Sequence, residues 1–332
     1  MNKKCRIGII GAGRIGKLHA ANLKSQLPQF ELNAIADPQL DTHWAKTLDI
    51  PLCSKSVEDI LDNQDIDAVL IASPSHLHSQ QILKACESGK AVFCEKPLGL
   101  SEQEILQTIE AVNKNNTLLQ VGFNRRFDPS FSNLQNRIKT GEIGQTQLIC
   151  ITSRDPACPS KEYCATSGGI FMDMSIHDFD MARFLANSEV VEVYAAGAIL
   201  INPEFEALND VDTATIQLRF ANGALGIINN SRQAVYGYDQ RIEVLGAEGM
   251  LLAGNQPSNQ VVSYAMNGIH SANPLYFFLE RYQQAFIAEL TAFYQSWISE
   301  KPALVSAFDG LQALKIAQAA KQSLKMNAPV KL

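Results

Sequence analysis

Apolar residues in the first third of the chain fall into short β-branched runs separated by stretches of helical periodicity. Residues 6–10, 31–36, 68–72, 91–94 and 118–123 read as strands, and 14–27, 78–88 and 101–113 as helices. Ser101 and Glu104 have the spacing of a capping box at the start of the last of these. Strand–helix alternation of this kind predicts a parallel sheet covered on both faces. Beyond about Asn124 the pattern changes to longer alternating strands at 147–153, 190–198, 213–220, 224–231 and 241–245. From Thr215 to Phe220 apolar and polar residues alternate, as in a half-buried antiparallel strand, and Asn222-Gly223 signals a hairpin. One helix at 170–186 interrupts this region, and two follow at 276–298 and 308–324. The fold expected from this pattern is α/β, with a first domain on a parallel sheet up to about residue 123 and a second domain of mostly antiparallel strands beyond it. The last helices are free to pack back on the first domain.

The residues between these elements carry the chemistry. Gly11-Ala12-Gly13-Arg14-Ile15-Gly16 follows a strand and opens a helix. Its glycines suit a tight turn, close approach of a pyrophosphate and close helix–strand packing. The helix N-terminus offers free N–H donors. Asp37, at the end of the second strand, is placed to accept bonds from an adenosine ribose, and Pro38-Gln39-Leu40 brings no arginine for a 2′-phosphate. NAD is favoured over NADP on this ground. A purely structural turn with a solvated Asp37 is the bland alternative. Ser73 and His76, just past the third predicted strand, are a second cofactor contact or simply the cap of the next helix. Lys96 in Glu95-Lys96-Pro97 lies past the next strand end, placed to hold its ammonium against a hydroxyl or a developing ketone oxygen; a surface lysine before a loop proline is the alternative.

On the 170–186 helix, Asp173, His177 and Asp180 fall at i, i+4 and i+7 on one face, with apolar residues in the other directions. A histidine there can take the proton an alcohol loses as hydride departs, with Asp173 holding the imidazole in one tautomer. A core histidine satisfied by Asp173 or Asp180 is the competing reading.

Composition narrows the function class. The chain has 332 residues, 46% apolar and 19% charged, with a net charge of −6 and scattered Lys and Arg. This suits two globular domains and disfavours a nucleic-acid partner. No stretch approaches the apolar length of a membrane span. The apolar run behind Met1-Asn2-Lys3-Lys4-Cys5-Arg6 is too short for a signal peptide. Seven cysteines without CxxC spacing suggest reduced thiols in a cytoplasm and no metal site.

Taken together, Gly11–Gly16, Asp37, Glu95-Lys96-Pro97, the segment Gly122-Phe123-Asn124-Arg125-Arg126-Phe127-Asp128 and the segment from Gly168-Gly169 through Asp173 and His177 to Asp178 resemble the glucose–fructose oxidoreductase/inositol dehydrogenase (Gfo/Idh/MocA) family. Within it the inositol 2-dehydrogenases are most alike. The resemblance implies an N-terminal Rossmann domain over 1–123 followed by an α+β domain over 124–332 on a large open, mostly antiparallel sheet, with Lys96, Asp173 and His177 as the catalytic set, Glu95 near the nicotinamide ribose, and homo-oligomers, tetramers or dimers, in which open sheets pack together. It implies oxidation of a ring hydroxyl of a cyclic polyol such as myo-inositol, with another sugar or sugar derivative, or a non-catalytic dinucleotide-binding regulator, as alternatives. A polyol pocket should present hydrogen-bonding groups from several elements. Arg126, Asp155, Asp180, Tyr236 and Tyr238 are the candidates, and the 154–167 loop is where specificity could diverge.

Overall fold

The structure is a computed structural model that describes residues 3–332. The chain divides into two compact units, one of residues 1–124 and 285–314, the other of residues 125–284 and 315–332.

The first unit is built on six parallel strands: β1 (Cys5–Ile10), β2 (Phe30–Ala36), β3 (Leu52–Ser54), β4 (Ala68–Ile71), β5 (Ala91–Glu95) and β6 (Leu119–Gly122), in the order β3-β2-β1-β4-β5-β6. This is the doubly wound Rossmann order, in which ligands gather at the carboxyl ends of the strands. Ile7, Ile9 and every residue of β4 are fully buried, as expected of a sheet covered on both faces. Sequence reasoning missed β3, which is three residues long and only half-buried. The capping box at Ser101 and Glu104 is formed. The helix Gln283–Ile298 belongs to this unit, and its Leu290, Phe293 and Tyr294 complete the core around Ile7, Leu70 and Phe93.

The second unit carries a seven-stranded sheet. Its members are β7 (Thr146–Arg154), β8 (Val190–Ala198), β9 (Thr213–Phe220), β10 (Leu225–Ser231), β11 (Asp239–Gly246), β12 (Met250–Ala253) and β15 (Val330–Lys331), ordered β12-β11-β7-β10-β9-β8-β15. Only the β7–β10 pair is parallel. The hairpin at Asn222-Gly223 joins β9 to β10, and Gly223 supplies the positive φ of 90°. A separate hairpin, β13 (Val262–Ala265) with β14 (Gly268–Ser271), is exposed along its whole length.

One face of the large sheet is covered and the other carries exposed apolar side chains, with Leu225, Ile227, Leu245, Met250 and Leu252 between 39% and 60% exposed. The predicted continuous helix over 170–186 is corrected. It is two helices, Ile170–Asp173 and Ser175–Ala186, broken at Met174 with φ −96° and ψ −60°. Asp173 therefore closes a single turn, and His177 sits in the first turn of the helix that follows. The helix Pro129–Lys139 was also missed, despite Asp128 as its N-cap and a proline in its first turn. Among its residues only Phe131, Leu134 and Gln135 are buried, so its apolar stripe is too thin to read.

Phe293 is completely buried against the first sheet. Phe293→Ala should cost roughly 3–5 kcal/mol, seen as a lower midpoint in thermal unfolding followed by circular dichroism.

Candidate active site

In the first unit the glycine turn is held by backbone contacts that only glycine permits. A Cβ on Gly11, whose φ is +100°, would lie 2.6 Å from the Ala72 carbonyl, and one on Gly16 would lie 2.0 Å from the Gly11 oxygen. Gly13 differs: nothing lies within 4 Å of where its Cβ would be. It is also the N-cap of the helix Arg14–Ser25 and brings no side-chain cap to the first-turn N–H groups. An open, glycine-lined approach to a helix N-terminus that no side chain caps fits the pyrophosphate of a dinucleotide. Arg14 and Ile15 occupy the first turn of that helix, exposed and half-buried respectively. Asp37 braces the turn: its carboxylate accepts from the Ala12 N–H at 2.7 Å and from the Gln39 N–H at 2.7 Å.

The loops after β4 and β5 are tied together by a residue the sequence reading passed over. The buried ring of His78 faces two carbonyl oxygens, Pro97 O from Nδ1 and Ser73 O from Nε2, each at 2.8 Å. Burial lowers the pKa of His78, and the two carbonyls oppose that shift. Ser73 also donates to Gln81 at 2.5 Å, while His76 is exposed in the short turn Ser75–Leu77. Half-buried Lys96 follows β5, and its peptide to Pro97 is cis.

Glu95 accepts from His19 at 2.8 Å, and Glu289 converges on the same buried spot. The Glu289 carboxyl oxygens are buried without a hydrogen-bond partner. Burial, with Glu95 nearby, holds Glu289 well above the usual carboxylate range.

In the second unit Asp173 is gripped from two sides. Tyr163, on the helix Lys161–Thr166, donates to Oδ1 at 2.8 Å, and Arg232 donates from Nη1 to Oδ2 at 3.0 Å. The same Nη1 lies 3.5 Å from Asp155 Oδ2, at the end of β7. Burial opposes the charge on Arg232, but Asp173 and Asp155 outweigh it and hold the guanidinium firmly protonated. Burial pushes the Asp155 carboxyl up to about 6, with Arg232 opposing the shift and Asp173 adding to it. Burial and the Asp173 charge likewise push the Tyr163 phenol up, so it stays a donor.

The remaining candidates are engaged in this unit as follows. Arg126 forms a two-pronged pair with Asp180, at 2.8 and 2.6 Å, over the ring of Phe184. Tyr236 donates to Asp239 at 2.6 Å and accepts from Arg154 at 3.1 Å. Tyr238 is buried edge-on against Tyr282. Neither Arg232 nor Tyr163 was found from sequence. Arg232 is one arginine at a strand end, 59 residues from its partner Asp173. Tyr163 lies in the 154–167 loop already singled out for specificity.

Two substitutions separate the roles of the glycines. Gly13→Val should leave the melting temperature almost unchanged while weakening NAD binding by roughly tenfold or more, read by cofactor fluorescence. Gly16→Val should not give a stably folded protein. Glu289→Gln tests the buried acid. The folded chain keeps a proton that the unfolded chain releases above about pH 4.3, so stability falls as pH rises above that point. The glutamine variant should remove this slope, and its gain in melting temperature should be larger at pH 8 than at pH 5.

Comparison with known proteins agrees with the site's elements. Residues 5–123 match the family described as "Oxidoreductase family, NAD-binding Rossmann fold", and residues 131–252 match "GFO/IDH/MocA C-terminal domain". The chain is 47% identical to the "Uncharacterized oxidoreductase YrbE" of Bacillus subtilis, over all of this chain and 98% of that protein. It is 44% identical to the "Myo-inositol 2-dehydrogenase" of Thermotoga maritima, over 98% of each. A crystal structure of scyllo-inositol dehydrogenase from Lactobacillus casei, with bound NAD(H) and scyllo-inositol, superposes with a TM-score of 0.93 at 35% identity, over 99% of each chain. The glycine turn, the two-unit architecture and these matches have one source: the chain belongs to the Gfo/Idh/MocA family of NAD-binding oxidoreductases.

Proposed function

We propose that the protein oxidises one ring hydroxyl of myo-inositol or a close stereoisomer to the ketone, using NAD. The observation that carries this reading is the second unit's Asp173, held by Arg232 and Tyr163 one turn before half-buried His177. A carboxylate held firmly on the adjoining turn can stabilise an imidazolium as that ring takes up a proton. The names of the Thermotoga maritima and Lactobacillus casei relatives supply the substrate class.

Gly11, Gly13, Arg14, Ile15 and Gly16 would hold the pyrophosphate of NAD, Asp37 the adenosine ribose, Glu95 the nicotinamide ribose, and Ser73 and His76 the flank of the cofactor. NAD, when bound, supplies the hydride acceptor. In this reading His177 takes the hydroxyl proton and Asp173 stabilises the resulting cation. Lys96 orients and polarises the substrate oxygen. Asp155, beside Asp173, is the substrate contact the geometry favours. Arg126, Asp180 and Tyr236 would contribute from the ion pairs and hydrogen bonds they already make.

We further infer a cytoplasmic homo-oligomer, tetramer or dimer. All seven cysteines are free thiols, which suits a reducing compartment. The exposed apolar face bearing Ile227, Met250 and Leu252 is of a kind that partner subunits cover.

The test is an assay of NADH formation across inositol stereoisomers and aldoses. Turnover should be fastest with an inositol; turnover with aldoses alone would reassign the substrate to a sugar. Lys96→Ala and His177→Ala should each lower kcat by roughly a hundred- to ten-thousand-fold while NAD binding survives.

A further inference from the structure

We propose that Arg232 is a positioning residue for the reaction, fixing the orientation of the Asp173 carboxylate together with Tyr163. The inference rests on the function proposed above and adds to it two residues outside the Lys96, Asp173 and His177 set.

Arg232 follows β10 directly, and its backbone N–H is bound to the Asp212 carbonyl at 2.8 Å, so the base of the side chain is anchored. The side chain is 2% exposed and reaches Asp173 Oδ2. Tyr163 reaches Oδ1 from a separate helix. With one donor on each oxygen, the carboxylate cannot rotate about its Cβ–Cγ bond without losing a charge-assisted hydrogen bond. Asp155 meets the same Nη1 at the longer distance of 3.5 Å and is shifted toward its protonated form, which leaves Asp173 the stronger acceptor.

The way Arg232 uses its donors separates it from an ordinary cross-link. Arg126 and Arg183 each place Nε and Nη2 on one carboxylate, the two-pronged geometry that secures an ion pair. Arg232 does not. Its Nε and Nη2 are buried with no hydrogen-bond partner among the described residues, and a single nitrogen faces the two carboxylates. Arg281 also leaves Nε and Nη2 unmatched, but its guanidinium lies over the rings of Phe131 and Tyr282. Burying a guanidinium with unmade donors works against stability. An arginine held in that state is explained by where its one well-placed N–H lands, on the carboxylate of the catalytic set.

The test compares Arg232→Met, Arg232→Lys, Tyr163→Phe and Asp173→Asn with the unsubstituted enzyme, using myo-inositol and scyllo-inositol with NAD. Arg232→Met should lower kcat roughly tenfold to a hundredfold, the range set by loss of a hydrogen bond to a charged group, while KM for NAD stays within about twofold. Arg232→Lys, which keeps the cation, should recover part of the loss. Tyr163 is half exposed, so Tyr163→Phe should fold normally and lower kcat several-fold with no change in melting temperature. It carries the test alone if Arg232→Met does not fold. Should Asp173→Asn cripple turnover while Tyr163→Phe and any folded Arg232 variant keep full kcat, the positioning role is overturned and the proposed reaction stands. Should the unsubstituted enzyme turn over neither inositol, the proposed reaction falls, and this inference with it.

Discussion

A guanidinium taken out of water must keep a carboxylate beside it or lose several kcal/mol, and the second unit is organised around that requirement. Arg125 pairs with Asp178, Arg126 with Asp180 and Arg281 with Asp128, all at buried or nearly buried positions. Two of these partners, Asp178 and Asp180, lie on the helix Ser175–Ala186. Asn230 of β10 donates to the second oxygen of Asp178 at 2.8 Å. The helix can neither slide nor turn without stranding a charge, so its register is fixed just past His177. His177 is carried on this same helix. Burial pushes the Asp178 carboxyl up, and Arg125 and Asn230 work to keep it ionised, so the pairing is a balance of opposing terms.

The first unit solves a similar problem with backbone polar groups. The loops that leave β1, β2, β4 and β5 at their carboxyl ends have N–H and C=O groups with no strand partner. Asp37 answers the N–H groups of Ala12 and Gln39, and the buried His78 ring sits between the carbonyls of Ser73 and Pro97, its single neutral-ring N–H answering one of them. Four loops are thereby set in place before any ligand arrives. Binding a dinucleotide then spends little of its interaction energy on ordering the protein.

What could be read from sequence follows from the range of the forces involved. The glycines of the turn stand in one short string, so the turn and its chemistry were legible at once, although Gly11 is packed against distant Ala72. The long alternation of β9 and the Asn222-Gly223 turn were legible for the same reason. The break at Met174 was not, because the residues around it keep an unbroken helical pattern and only the packed chain chooses the kink. The exposed β13–β14 hairpin has no buried face and so no alternation to detect. Among the site residues, Lys96, Asp173 and His177 stand in recognisable strings. Arg232 and Tyr163 become visible only when tertiary contacts bring them onto Asp173, and no spacing rule anticipates that. Arg126 and Asp180 were read separately as candidate substrate contacts, and their pairing with each other could not be foreseen.

The Rossmann sheet also imposes an order of events on synthesis. Phe93 and Leu70 are finished early, yet the helix that seals them begins near Gln283, and the Val121 N–H waits for the Val305 carbonyl. For roughly 200 residues of elongation the nascent nucleotide-binding half has a bare apolar flank. In that interval shielding of the flank by a chaperone would guard against misassociation.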